Sequence, residues 1–145
     1  MAYEDFYESA IRHWIDGSIL EENEEYDSAV CMQEFAAECA LKRIMERICS
    51  SSNIRKYSHF GEALFQDIVM MLTGDVGLTM MIDPACALRL SQMALPEVLF
   101  RDHPERRYFG DDKFLKKDAE DCRQAEGCLI RELAVMRLFF PINSP

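Results

Sequence analysis

The sequence predicts an all-α fold: a single-domain bundle of about five helices that closes on a long C-terminal helix. Two observations carry the helical part of that reading. In five separate stretches, apolar residues return at steps of three and four, the spacing of one helix face. Turn formers are scarce, with six Gly and five Pro, whereas nine Met supply a good helix former that also fills gaps between packed helices. A chain of 145 residues is the usual size of one domain, spanning 1–145, and buries about two-thirds of the surface its unfolded form exposes.

The first helix is expected over residues 3–20, where Tyr3, Phe6, Tyr7, Ala10, Ile11, Trp14 and Ile15 share a face and Gly17 weakens the last turn. An acidic loop, Glu21 to Glu25, follows. The second helix spans about Tyr26–Cys49. Its stripe of Ala29, Val30, Gln33, Ala36, Ala37, Ala40, Leu41, Ile44, Met45 and Ile48 is small in the middle, so a neighbouring helix can come close. Beyond the serine cluster and a basic loop, a third helix is expected over His59–Leu72, with Phe60, Leu64, Phe65, Ile68, Val69 and Leu72 inward. Asp83 as N-cap and Pro84 as first helical residue open a fourth, running to about Leu95, because proline's missing N–H is no loss there. Pro96 to Gly110 lacks periodicity and is where function is expected on general grounds, since loops carry binding groups. The last helix, about Asp111–Phe140, repeats Leu115, Ala119, Cys122, Ala125, Leu129, Leu133, Met136 and Phe140. Thirty residues make about 45 Å, which would span the bundle or project from it; projection would favour a dimer.

Charge and cysteine usage narrow the function classes. Residues 1–27 hold nine acids against Arg12 alone, so this segment carries −8 of the net −10. Such a surface disfavours nucleic acid, whose phosphates are bound by Lys and Arg clusters. Read as a loop, the Glu21–Glu25 run is a solvated connection; read as a surface, it could dock a basic partner. No stretch reaches the length of uncharged apolar residues that a membrane span needs, and the N-terminus lacks the basic and apolar blocks of a signal peptide, so a cytoplasmic, non-membrane protein is expected. In a reducing compartment the six cysteines, none in a C-x-x-C pair, read as small buried hydrophobes.

Several polar residues stand out. Glu38 is embedded in Phe35-Ala36-Ala37-Glu38-Cys39-Ala40-Leu41-Lys42, with Lys42 one helical turn on. An exposed pair of this spacing contributes about 0.2–0.5 kcal/mol, whereas a buried carboxylate must be paired or hydrogen-bonded. His59 at a helix start could orient Glu38 or bridge to Arg107, making Glu38, Lys42, His59, Arg107 and Tyr108 a candidate polar site. Arg101, His103 and Arg106 form a candidate anion-binding loop, in competition with self-neutralisation by Asp102 and Glu105. His13 reads as a partly buried structural residue. No catalytic motif, metal-ligand motif or cofactor fingerprint is present, so no catalytic residue, metal or cofactor is expected.

The string Tyr26-Asp27-Ser28-Ala29, followed by Phe35-Ala36-Ala37-Glu38-Cys39-Ala40-Leu41-Lys42, resembles the second helix of bacterial proteins in the HEPN-like group of helical bundles. His59-Phe60 and Arg107-Tyr108 match later features of that pattern. The resemblance implies a bundle of about five helices, often dimeric, in a group that includes RNA-cutting toxins and defence nucleases. Those activities depend on an Arg-x4–6-His motif near the final helices, and this chain lacks it. The expectation is a non-enzymatic, HEPN-like interaction module, a homodimer or a component with a protein partner in a bacterial stress, toxin-antitoxin or phage-defence system. One alternative is a ribonuclease or nucleotide-handling enzyme with a nonstandard site; another is a helical adaptor that docks a basic partner through the acidic segment.

Overall fold

The computed structural model describes residues 5–49, 54–74, 82–105, 110 and 114–139. Among these there are five α-helices and no strand: α1 (Phe6–Glu22), α2 (Tyr26–Ile48), α3 (Gly61–Gly74), α4 (Pro84–Gln92) and α5 (Lys116–Phe139). Short 3₁₀ turns at Ile54–Tyr57 and Glu97–Leu99 connect them. No helix among the described residues is long and apolar enough to cross a membrane.

α2 is the central element, in contact with α1, α3 and α5. Every residue of its expected stripe, from Ala29 to Ile48, is buried. Burial extends beyond that stripe to Glu34, Glu38 and Lys42, because a helix enclosed by neighbours on several sides has few positions left for solvent. The close approach of α1 is explained by Gly17. A Cβ placed there would sit 2.5 Å from Gln33 Nε2 and 3.2 Å from the Ala29 carbonyl oxygen. Gly17 is thus a contact residue rather than a weak last turn, and α1 continues past it to Glu22. Gln33 Nε2 donates to the Trp14 carbonyl at 3.2 Å across the same seam.

Asp5 caps α1 by accepting from the Glu8 N–H at 2.9 Å. Asp83 caps α4 through the Cys86 N–H at 3.3 Å, with Pro84 in the first turn as the sequence predicts. The 3₁₀ turn before α3 is pinned by Tyr57, whose hydroxyl donates to Asp67 Oδ2 at 2.7 Å.

α5 is shorter than expected. Phe114 and Leu115 precede it, while residues 111–113 lie outside the described set. Its 24 residues, about 36 Å, match the 23 of α2, so the helix runs along the bundle, and projection no longer argues for a dimer. Side-chain ties to α1, α2 and α4 hold it in place, among them Arg47 Nη2, which donates to the Met136 carbonyl at 3.3 Å. Trp14 Nε1 donates to the Arg123 carbonyl at 3.0 Å, Arg123 pairs with Glu21 at 2.9 Å, and Arg89 grips both oxygens of Glu132 at 2.7 and 2.8 Å. Since Glu21 and Glu22 belong to α1, the acidic connection reduces to Asn23–Glu25, and Glu21 faces Arg123 rather than open solvent.

Some positions expected on inward faces point outward. Phe60 is 69% exposed, Leu115 73% and Ile15 47%. Phe60 and Leu115 precede α3 and α5, where the helical spacing does not yet apply. Cys31, Cys39, Cys86 and Cys122 are buried free thiols, and burial pushes Cys39 and Cys86 up to about 12.

Glu126, on α5, is fully buried, and neither carboxyl oxygen has a hydrogen-bond partner among the described residues. Burial holds its pKa well above the ordinary 4.5, so the folded protein keeps it protonated while the unfolded chain ionises it above that pH. Its cost to stability therefore grows as pH rises above 4.5. Glu126→Met is expected to stabilise the fold at pH 7 by about 1–3 kcal/mol in urea unfolding, with the gain shrinking below about pH 4.5. A loss of stability at pH 7 would contradict this picture of the group.

Candidate functional site

Phe35, Glu38 and Lys42 occupy one face of α2, since spacings of three and four bring them into line. Glu38 is 6% exposed and its carboxylate is fully engaged. Oε2 accepts from Lys42 Nζ at 3.1 Å, and Oε1 accepts from both His59 Nδ1 at 2.7 Å and His103 Nε2 at 2.8 Å. Burial by itself would raise this carboxyl group. The hydrogen bonds from His103 and His59 and the Lys42 ammonium overcome that and hold it down at about 2. Lys42 Nζ also lies 5.5 Å from the Phe6 ring centroid, over the ring face, which attracts the cation.

The histidines arrive from separate loops, and each follows a residue in the left-handed region. Ser58 has φ 47° before His59, and Asp102 has φ 57° before His103. That conformation disfavours residues with a side chain by about 1 kcal/mol or more. Two such turns at one site fit a backbone held against its preference to aim two imidazoles at one oxygen. Phe35 supports the imidazoles, lying edge-on to His103 at a centroid distance of 4.5 Å and to His59 at 6.2 Å. Its third ring neighbour, His13, is 6.1 Å away, and burial, then Arg12, lower that imidazole's pKa. His13 packs against Phe35, and the charge of Glu38 opposes that lowering.

A cavity of about 460 Å³ opens beside the cluster, lined by His59, Phe60, Gly61, Gln66, Phe100 and His103 among others. The side chain of His103 is 4% exposed and that of His59 is 42% exposed, so His59 is the member that meets solvent. The arrangement permits two kinds of chemistry. A carboxylate that fixes an imidazole leaves the other ring nitrogen available for proton transfer. Alternatively, one oxygen and two nitrogens that converge can bind a cation.

Of the expected polar site, the structure brings Glu38, Lys42 and His59 together, while Arg107 and Tyr108 lie outside the described residues. The expected anion loop is regrouped. His103 turns inward to Glu38 rather than joining Arg101, which is exposed in the same turn; Arg106 lies outside the described residues. The left-handed backbone at Asp102 reverses the chain there, so adjacency to Asp102 and Glu105 does not set the partner of His103. His103 as a partner of Glu38 is the residue that sequence reasoning missed. The available signals were Phe35, one turn before Glu38, and a turn-forming residue directly before each histidine.

Comparison with protein-family models, curated proteins and solved structures gives no match. Fold and site therefore define the class by themselves: an all-α bundle with a buried carboxylate–dihistidine centre at the edge of a cavity.

Because the Glu38 carboxyl titrates at about 2 instead of the ordinary 4.5, the stability its charge supplies is complete above 4.5 and is lost as pH falls toward 2. Glu38→Gln is expected to cost roughly 3 kcal/mol at pH 7, read by urea unfolding, and the gap to the wild type should close between about pH 4.5 and 2. A gap that stays constant across that range would show that the charge of Glu38 is not what matters.

Proposed function

We propose that the protein is a nucleotide-handling helical bundle, HEPN-like in plan, that works through the Glu38–His59–His103 centre in place of an Arg-x4–6-His motif. The observation that carries this reading is the convergence of two imidazoles from different loops on one buried carboxylate oxygen at a cavity. A group held only for structure has no need of a half-exposed histidine facing open space. The cavity, about 460 Å³, falls in the range of small-ligand sites, roughly 300–1,000 Å³. The net charge of −10 favours a mononucleotide over a nucleic-acid chain, whose many phosphates would meet a repelling surface. Exposed Lys56 and Arg101, in the segments leading to the two histidines, are cations suited to a phosphate.

Calorimetric titration with nucleoside mono-, di- and triphosphates tests this. The wild type is expected to bind at least one, and His59→Ala to weaken that binding by at least about tenfold; since the variant also takes one donor from Glu38, circular dichroism at the assay temperature checks that it remains folded. Absence of binding across the series, or equal binding by the variant, would remove the basis for this reading.

A second reading, a homodimeric interaction module of a stress or defence system, is favoured by a different surface. Ile15 and Ile19 are 47% and 51% exposed on α1. Beside them a groove between α1 and α5 is lined by Trp14, Gly127, Cys128, Ile130, Arg131 and Ala134. Sedimentation equilibrium is expected to report a dimer that Ile15→Glu with Ile19→Glu converts to a monomer; a monomeric wild type would end this reading.

A further inference from the structure

We propose that Glu38 Oε1, His59 Nδ1 and His103 Nε2 form a binding site for one divalent transition-metal ion of the zinc or ferrous class, with its remaining coordination open to the cavity. This deepens the reading of the cluster as the working centre and rests on it. The three donor atoms lie within 4.8 Å of one another, and among the described residues they are the group of His, Cys, Asp and Glu side chains that converges in this way. Two of their separations are 2.7 and 2.8 Å. An ion bound at about 2.0–2.2 Å from each donor needs neighbouring donors a little over 3 Å apart, so the short edges must open by only about half an ångström.

The donor chemistry selects the ion. Two imidazole nitrogens and one carboxylate oxygen suit zinc and ferrous iron, whereas magnesium and calcium prefer shells of oxygen. Lys42 occupies Oε2, which leaves Glu38 a single oxygen to offer and fixes the carboxylate as a one-oxygen ligand. The Lys42 side chain is 11% exposed, so this outer contact is shielded from competing water. The half-exposed His59 and the cavity leave room for a water or a phosphate oxygen at a further position, the arrangement that separates reactive metal sites from closed structural ones. On binding, each imidazole gives up the proton that now bridges to Oε1; that proton moves to the other ring nitrogen or to solvent.

Titration of the full chain, stripped with EDTA, with Zn²⁺ alone and with Fe²⁺ alone under anaerobic conditions tests the site, and Co²⁺ absorption reports the ligand field. The expected result is one ion per chain, with affinity falling by about 100-fold or more in His59→Ala and in His103→Ala, and by roughly 10–100-fold in Lys42→Met. Circular dichroism checks that each variant folds. Should His103→Ala fail to fold, the half-exposed His59 still decides the question. The proposal is overturned by a wild type that binds no ion stoichiometrically, a metal-free hydrogen-bonded cluster only, or by binding that is unchanged in His59→Ala and therefore sits on thiols or surface acids. Nucleotide binding by a wild type that takes up no ion would overturn the metal site and leave the nucleotide reading standing; metal binding without any nucleotide binding would do the reverse.

Discussion

A carboxylate inside a helical bundle can stay charged only if its surroundings replace the water it has lost. Glu38 sits in the middle of α2, the element that α1, α3 and α5 enclose, and its two oxygens take three donors. One donor, Lys42, comes from the next turn of the same helix and follows from local geometry. The other two must be delivered by loops. The segment before α3 and the turn after Glu97–Leu99 are therefore shaped by a demand that originates on α2. Ser58 and Asp102 adopt left-handed backbone because that aims the following histidine at the carboxylate.

The rest of the bundle keeps α2 in a position where this arrangement holds. Gly17 lets α1 lie against Ala29 and Gln33 with no side chain between them. Trp14 and Arg123 join α1 to α5, and Arg89 with Glu132 joins α4 to α5. Both ion pairs use arginine, whose fork can hold a carboxylate at fixed orientation. Glu126 is the counter-case in the same core. It is a buried carboxyl to which no described residue donates, and it remains neutral where Glu38 remains charged. Burial acts on both groups in the same direction, and the presence or absence of donors decides the outcome.

Much of the fold was legible in advance. The helix order, the N-cap at Asp83 and the buried stripe of α2 follow from period, capping chemistry and small residues, which are local properties. The boundaries of α1 and α5 were less legible. Gly17 carries a helix-weakening tendency that contact with α2 overrides, and Leu115 continues an apolar period that the chain does not follow into the helix. Three of the four members of the cluster could be read: Glu38 with Lys42 by spacing, and His59 as a partner for Glu38. His103, 65 residues from Glu38, could not, because its immediate neighbours suggested a solvent-facing charged loop.

The sequence by itself determined the helices, their order and the presence of a carboxylate among small residues that would need partners, because each of these depends on residues within a few turns of one another. Only the tertiary structure decided which partners Glu38 receives and that His59 and His103 share one of its oxygens beside a cavity. That choice depends on where two loops reverse direction after the helices have packed. Long-range packing and two left-handed backbone positions set those reversals, and neither leaves a periodic trace in the sequence.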